Sequence, residues 1–266
     1  MIKKLKLGIG NLSVRLIRFI ARKAKLDLIR IAYSENGLTK SYSLKASGEL
    51  YFTQQFLQTS IKNKNPIFFD VGGNKGEYSA LLRESFPESH IHTFEPNPNT
   101  YSVLTNKLGS KIKAVNKGVG AENGELELFF DKNNTTSVQA TSDPEILRVI
   151  AKTENIISEK IEVITLDTYC KENKITSIDL LKIDTEGFEL EALMGAKELL
   201  NQGAIKMIQF EFNEVNIVKR RFLKDFYELL EAFDFYRLDE NQMIPLKEWQ
   251  PIHEIFMFQN IVGIKR

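Results

Sequence analysis

From residue 66 onward, short apolar segments alternate with longer segments in which apolar residues recur every three or four positions. The first kind has the length and pattern of buried strands, and the second kind is typical of amphipathic helices. Strands are predicted at 66–71, 90–95, 112–119, 125–130, 161–166, 178–183, 205–212, 235–238 and 255–264. This alternation predicts an α/β protein with a mostly parallel sheet and right-handed crossovers.

Two segments depart from this alternation. Residues 1–64 precede the first predicted strand, and we expect an N-terminal extension and lead-in there, followed by one α/β domain at 65–266. Residues 131–160 are polar and irregular at first and then weakly helical, which predicts a loop or lid.

Residues 1–30 combine an apolar stripe with nine Lys or Arg and one acid. The stripe has helical spacing and consists of Leu12, Leu16, Phe19, Ile20 and Ala24. We interpret this segment as a helix packed on the domain or on a second subunit. Contact with an anionic membrane surface is the first alternative, and contact with nucleic acid is the second. Arginines interrupt the apolar stripe, so neither a secretory signal nor a membrane span of about 20 apolar residues is predicted.

The bulk composition is that of a globular protein of a reducing compartment. Hydrophobic residues make up 42% of the chain and charged residues 27%, which argues against a disordered chain. The single cysteine, Cys170, cannot form an internal disulfide. A net charge of +1 gives no overall attraction to nucleic acid. We therefore expect a cytoplasmic protein without a nucleic-acid partner, at the inner face of the membrane if the basic segment docks there.

The first predicted strand ends in a glycine turn, residues 70–76, and the second ends on Glu95. Such turns, at the carboxyl ends of central strands, are where open α/β sheets bind ligands. The dinucleotide fingerprint is absent, because Asn74 and Glu77 replace its second and third glycines. The acids Asp70 and Glu95 at one crevice disfavour a phosphate-rich cofactor. They suit S-adenosylmethionine, which carries an ammonium, a sulfonium and ribose hydroxyls. Glu95 can accept hydrogen bonds from these hydroxyls.

Four segments together resemble the FkbM family of S-adenosylmethionine-dependent methyltransferases. They span 69–76, 93–98, 166–168 and 178–189 and occur in the family's order. Gly73 departs from the family, which usually has alanine there. The resemblance implies a class I methyltransferase (Rossmann-like) doubly wound sheet of seven strands, with the last strand antiparallel, and transfer to a hydroxyl oxygen. The cofactor-binding residues are then Asp70, Gly72, Gly73, Asn74, Gly76, Glu95 and Asn97.

A second polar cluster is predicted at the ends of two later strands. Lys182 and Asp184 are two residues apart and share one face of a strand. A lysine inside an apolar strand is costly unless it is paired or catalytic, and both interpretations stay open. With Glu211 at the end of the next strand, Asp184 and Lys182 are the catalytic candidates. Asp184, Glu211 and Asn213 could also hold Mg²⁺, because carboxylate and amide oxygens are its usual ligands.

The expected reaction is methylation of a sugar hydroxyl in a bacterial surface glycan or its precursor. A polyketide or another small metabolite is the alternative acceptor. A nicotinamide-dependent oxidoreductase is a second class of function, which the failed fingerprint disfavours. A non-catalytic α/β binding module is a third, which the joint presence of Asp70, Gly72, Gly76 and Glu95 disfavours.

Overall fold

The computed structural model describes residues 2–38, 43–133 and 140–266, and the side chains in those ranges other than 2–11 and 111. The strands are β1 Ile67–Val71, β2 His90–Phe94, β3 Lys113–Val115, β4 Gly118–Val119, β5 Gly124–Asp131, β6 Ile156–Ile164, β7 Leu180–Ile183, β8 Met207–Phe212, β9 Phe233–Asp239, β10 Gln242–Pro245 and β11 Gln259–Lys265.

Helices fill most of the connections between these strands. They are α1 Ile2–Ala24, α2 Leu28–Ser34, α3 Glu49–Tyr51, α4 Leu57–Ser60, α5 Glu77–Ser85, α6 Pro98–Leu108, α7 Pro144–Ile146, α8 Leu166–Glu172, α9 Glu189–Met194, α10 Lys197–Asn201, α11 Val215–Lys219 and α12 Leu223–Leu229. Single π-helical turns at Phe52–Phe56 and Leu147–Ala151 extend α3 and α7. Short 3₁₀ helices occur at Gly109–Lys111 and Pro251–His253. No helix in the described part of the chain is long and apolar enough to span a membrane.

The main sheet confirms the predicted doubly wound α/β class. Eight strands of the described chain form it, in the order β10-β9-β11-β8-β7-β1-β2-β3. Strand β11 runs antiparallel to β8 and β9, and β10 runs antiparallel to β9. The expected seven-strand sheet is therefore extended by an edge strand, β10. The turn at 239–241 joins β9 to β10, whereas the sequence pattern placed β11 after it. Strand order reverses between β1 and β7, which places the ligand crevice at their carboxyl ends.

A smaller sheet lies beside the first. In the described ranges it consists of β4, β6 and β5, with β6 in the centre. The predicted strand at 112–119 is in fact divided between the two sheets, because β3 pairs with β2 and β4 pairs with β6. Strand β5 ends at Asp131 and β6 begins at Ile156, so the connection between these two paired strands is shorter than the predicted loop at 131–160, because residues 156–160 already belong to β6.

Apolar side chains pack on both faces of the main sheet. The lead-in contributes to one of these cores, since Phe52 and Leu57 are fully buried in the same cluster as Phe68 and Leu82. Burial of each such side chain contributes about 1.5–3 kcal/mol to stability. Residues 49–60 therefore pack on the sheet of the α/β domain, and the predicted boundary at residue 64 stays a prediction.

Candidate active site

The turn between β1 and α5 has no space for side chains at its first two glycines. Gly72 has a φ of +80°, and a Cβ on it would lie 1.7 Å from the carbonyl oxygen of Asp184. A Cβ on Gly73 would lie 2.0 Å from Cγ2 of Thr93, so the alanine usual in the resembled family does not fit beside this threonine. Both glycine N–H groups donate to the carbonyl of Phe94 at 2.9 Å. Glycine is required at Gly72 by its positive φ and by the main chain that follows β7, and at Gly73 by the side chain of Thr93 on β2.

Glu95 follows β2, and the main chain of two turns holds its carboxylate. Oε2 accepts the N–H of Asn74 and Oε1 accepts the N–H of Asn97, both at 2.9 Å. Burial raises the pKa of Glu95 to about 7, although these two hydrogen bonds oppose the shift. Each carboxylate oxygen keeps a further lone pair for a ligand hydroxyl. Glu95 therefore shapes the glycine turn in addition to the ligand role predicted for it.

Buried polar side chains form a row across three adjacent strands of the main sheet. Asp70, Lys182 and Gln209 are neighbours in register on β1, β7 and β8. The Lys182 ammonium lies 3.6 Å from Asp70 Oδ1 and 3.2 Å from Asp184 Oδ2, and the lysine side chain is only 6% exposed. Burial lowers the pKa of Lys182, but the carboxylates of Asp184 and Asp70 outweigh it and raise the pKa above its usual value. Lys182 is thus a charged, paired group between two acids.

Glu49, which lies on α3 in the lead-in, also contacts this row of polar side chains. Its Oε1 accepts from Nε2 of Gln209 at 3.0 Å, and its Oε2 accepts from the Ser47 hydroxyl at 2.9 Å. The Tyr78 hydroxyl donates to the amide oxygen of Gln209 at 2.6 Å. Burial raises the pKa of Glu49, although the ammonium of Lys182 lowers it. No pattern in the sequence marks Glu49, whereas Gln209 shows the same signal as Lys182, a polar residue inside an apolar strand.

A cleft of about 440 Å³ opens at the carboxyl ends of β1, β7 and β8. The lead-in, the glycine turn, the ends of the three strands and the segment after residue 140 form its walls. Among the described residues that line it, seven carboxyl groups outnumber two ammonium groups: Glu49, Glu77, Glu95, Asp184, Glu186, Glu211 and Glu214 against Lys75 and Lys182. The cleft is therefore acidic, and it repels phosphate-rich ligands and attracts cations and hydroxyl donors.

Glu186 and Glu211 form the part of the cleft beyond Asp184. Burial, followed by the charge of Asp184, raises the pKa of both glutamates well above its usual range. The Asn213 amide donates to Glu211, and its amide oxygen accepts the N–H of Val215 at 2.8 Å. In the described part of the chain, no group of three acidic, histidine or cysteine side chains is placed to hold a metal ion. Mg²⁺ is therefore not supported here, and the ligand set Asp184, Glu211 and Asn213, one of which is an amide, stays a prediction.

The structure brings together most of the predicted site residues. All three catalytic candidates line the cleft: Asp184, Lys182 and Glu211. Four of the predicted cofactor-binding residues also line it: Gly72, Gly73, Asn74 and Glu95. The other three do not: Asp70 accepts from the Ser79 hydroxyl at 2.7 Å, Gly76 packs against Leu108, and Asn97 is the N-cap of α6.

The part of the predicted lid that follows residue 139 contributes to the cleft. Ala140 and Ile150 line the cleft, and the Thr141 hydroxyl donates to the carbonyl of Glu186 at 3.0 Å. Residues 134–139, near the start of this predicted segment, lie outside the described residues. Closure of the segment over a ligand stays a prediction.

The fold and the site together define a class I methyltransferase. Strands β3, β2, β1, β7 and β8 run parallel, β11 is antiparallel beside β8, and a glycine turn and an acid follow β1 and β2. The chain belongs to the FkbM methyltransferase family, because the model of the "Methyltransferase FkbM domain" family matches residues 70–238, more than half of the chain. The resemblance drawn from the sequence motifs is confirmed.

Curated relatives are similar over part of their length. Methyltransferase sdnD of Sordaria araneosa is 29% identical over 55% of this chain and 66% of its own. The 2-O-methyltransferase NoeI of Sinorhizobium fredii is 22% identical over 65% of this chain and 74% of its own. The hexuronic acid methyltransferase AglP of Haloferax volcanii is 23% identical over 52% of each chain. The chain thus spans about two thirds of the first of these relatives and about half of the last.

The residues of the cleft fit S-adenosylmethionine, the methyl donor of this class. Gly72 and Gly73 line the cleft with main chain alone, so a ligand can lie directly against the backbone there. The amide oxygen of Asn74 is buried and has no hydrogen-bond partner among the described residues. Glu95 has lone pairs left for the ribose hydroxyls, and the excess of carboxylates matches a cationic donor. When bound, S-adenosylmethionine supplies a methyl group activated by a sulfonium.

Replacing Glu95 with alanine is expected to weaken S-adenosylhomocysteine binding by about tenfold or more. Each hydroxyl that loses a charged acceptor forfeits about 1.5–3 kcal/mol at most. Calorimetry measures the effect. Glu95→Gln is the comparison variant, because it keeps the size and does not titrate; its NH2 group replaces one acceptor of a main-chain N–H, so it should bind more weakly than the wild type at high pH. In the wild type, affinity should increase as the pH rises through about 7 and Glu95 ionises, and this dependence should vanish in Glu95→Gln. Unchanged affinity in a folded Glu95→Ala variant would contradict the assignment.

Proposed function

We propose that this protein transfers a methyl group from S-adenosylmethionine to the hydroxyl oxygen of a sugar, in a surface glycan or in its lipid-linked or nucleotide-linked precursor. The observation that carries the proposal is the acidic part of the cleft, where Asp184, Glu186 and Glu211 lie beyond the glycine turn. Carboxylates accept hydrogen bonds from hydroxyl groups and can take their protons. The charge of Asp184, which raises the pKa of both glutamates, favours an acceptor with no phosphate near the hydroxyl that is methylated.

Two relatives support the choice of oxygen and of a sugar. NoeI is by name a 2-O-methyltransferase, and AglP is by name a hexuronic acid methyltransferase. The cleft also offers apolar and aromatic contacts from Leu44, Leu128 and Phe258, which suit the less polar face of a sugar ring. The reducing cytoplasm is the proposed compartment, and the buried free thiol of Cys170 is compatible with it.

The three catalytic candidates take different roles in this proposal. Glu211 is the general base, because it lines the cleft beside Asp184 and burial raises its pKa, which makes its carboxylate a stronger base than that of an exposed glutamate. Asp184 accepts a hydrogen bond from a neighbouring hydroxyl of the same sugar and so orients the reacting hydroxyl toward the donor. Lys182 positions Asp184 through the contact of 3.2 Å between their side chains. Orientation and exclusion of water then supply much of the acceleration.

Comparison of glycans from a strain that lacks the gene with those of its parent tests the acceptor class. We expect one sugar residue to lose one methyl group in the deletion strain and to regain it when the wild-type gene is restored. The purified enzyme should then methylate the glycan isolated from the deletion strain. If all sugars are unchanged and a small metabolite loses a methyl group instead, the sugar assignment is wrong, and a polyketide or other metabolite becomes the acceptor.

A further inference from the structure

Helices α1 and α2 present apolar side chains that no part of the described chain covers. Ten of the sixteen exposed large apolar side chains among the described residues lie between residues 12 and 31. Leu12 is 71% exposed, Phe19 is 61% exposed and Ile29 is 66% exposed, whereas Ala21 is the one side chain buried between residues 12 and 31. The expectation that this helix packs on its own domain is therefore not met for residues 12–31. An apolar face of this size indicates a partner surface.

Three arginines form one side of α1, and Lys23 lies among the apolar residues of the other side. At 100° per residue, Arg15, Arg18 and Arg22 fall within an arc of about 60° on α1. Apolar residues, including Leu16 and Phe19, occupy most of the remaining circumference. A helix with an apolar face and an adjacent basic ridge lies in the interface of a bilayer, with its apolar side chains among the acyl chains and its arginines at the headgroups.

The charges also decide between a bilayer and other partners. Residues 12–31 contain six basic side chains and one acid, Asp27, whose carboxylate accepts the N–H groups of Ile29 and Arg30 as the cap of α2. Two copies of this face would bring the basic ridges together without acids to pair them. A nucleic acid would neutralise the arginines but leave Leu16 and Phe19 in water. An anionic lipid surface matches both parts.

We propose that α1 docks the protein on an anionic membrane surface. The docked element is attached to the edge of the domain, because the Arg237 guanidinium donates to the carbonyl of Asn36 at 3.1 Å and Leu38 is buried. Farther along the same lead-in, Leu44 and Glu49 line the cleft. Membrane contact through α1 therefore places the catalytic domain beside acceptors carried on lipid, and it is independent of which acceptor the enzyme methylates.

Sedimentation with lipid vesicles tests the proposal on the full chain. We expect binding to phosphatidylcholine vesicles that contain about 30% phosphatidylglycerol, and weak binding to phosphatidylcholine alone. Each arginine near an anionic surface strengthens binding by about fivefold, so Arg15→Gln/Arg18→Gln/Arg22→Gln should weaken it by about twentyfold or more after screening by salt. The apolar change Leu16→Gln/Phe19→Gln should abolish binding to both kinds of vesicle.

The matched control removes the same charge from exposed positions elsewhere, through Lys64→Gln/Lys107→Gln/Lys171→Gln, and should bind anionic vesicles within about twofold of the wild type. All variants should retain wild-type affinity for S-adenosylhomocysteine, which shows that they fold. Absence of binding to the anionic vesicles overturns the proposal, as does an equal loss in the control triple. A lipid-free dimer that Leu16→Gln/Phe19→Gln dissociates assigns the face to a second copy instead. Displacement of the protein from vesicles by RNA assigns it to nucleic acid.

Discussion

Replacing Lys182 with methionine is expected to lower the free energy of unfolding by about 3–5 kcal/mol, because it leaves a buried carboxylate without its cation. Asp70 is fully buried, and the Lys182 ammonium lies 3.6 Å from its Oδ1. The Ser79 hydroxyl, which donates to Asp70 Oδ2 at 2.7 Å, stays in place but carries no charge. Urea denaturation of the wild type and the variant measures the difference.

Two further variants separate a lost buried pair from a general effect of removing a lysine. Lys45→Met removes an exposed ion pair with Glu240, whose atoms are 3.0 Å apart, and should cost less than about 1 kcal/mol. Asp70→Asn/Lys182→Met removes the uncompensated charge and should recover much of the stability lost in the single variant. A double variant no more stable than Lys182→Met would show that the charge of Asp70 is not the cause.

The features of the fold that were predictable are those with a local cause. Apolar segments of strand length ending in glycine or acid mark β1, β2 and β7 in the sequence, and the structure places them side by side in the interior of the sheet. Gly72 is required by local conformation and by a close main-chain approach, so the turn was recognisable from residue types. The family motifs cover this same region, and the family match to 70–238 confirms them.

Features that depend on distant parts of the chain were not predictable. Strand β10 is four residues long and ends in Pro245, and it forms because β9 offers a free edge. Strand β4 is two residues long and pairs with β6, more than forty positions away, so its change of sheet leaves no local pattern. Glu49 enters the cleft because Phe52 and Leu57 dock the lead-in on the sheet, and the family match does not include that segment.

The sequence predicted which residues form most of the candidate site, but it predicted only some of their contacts. Lys182 and Asp184 were expected on one face, and their contact of 3.2 Å agrees with it. The contact with Asp70 required the register of β1 and β7, which single-sequence patterns do not determine. The role of Asn97 also differs from the prediction, which was direct binding of the cofactor. Its side chain caps α6 while its N–H donates to Glu95, so it acts on the cofactor site through that glutamate.

Replacing Glu211 with glutamine is expected to reduce turnover by about a hundredfold or more, because a general base contributes roughly 10²–10⁴ to the rate. This prediction rests on the proposed methyl transfer to a hydroxyl. Glu211 lines the cleft together with Asp184 and Glu186, and burial followed by the charge of Asp184 raises its pKa. A base acts in its deprotonated form, so the turnover of the wild type should rise with pH through this raised pKa and then level off.

The comparison with Asp184→Asn distinguishes a base from a group that orients the acceptor. Asp184→Asn should lower turnover by about tenfold but keep the rise with pH, because Glu211 remains as the base. Glu211→Gln should lose that rise altogether, while both variants keep wild-type affinity for S-adenosylhomocysteine. Turnover is measured by transfer of labelled methyl groups to the acceptor isolated from the deletion strain. If Glu211→Gln retains the rise with pH and Asp184→Asn loses it, the two roles are reversed and Asp184 is the base.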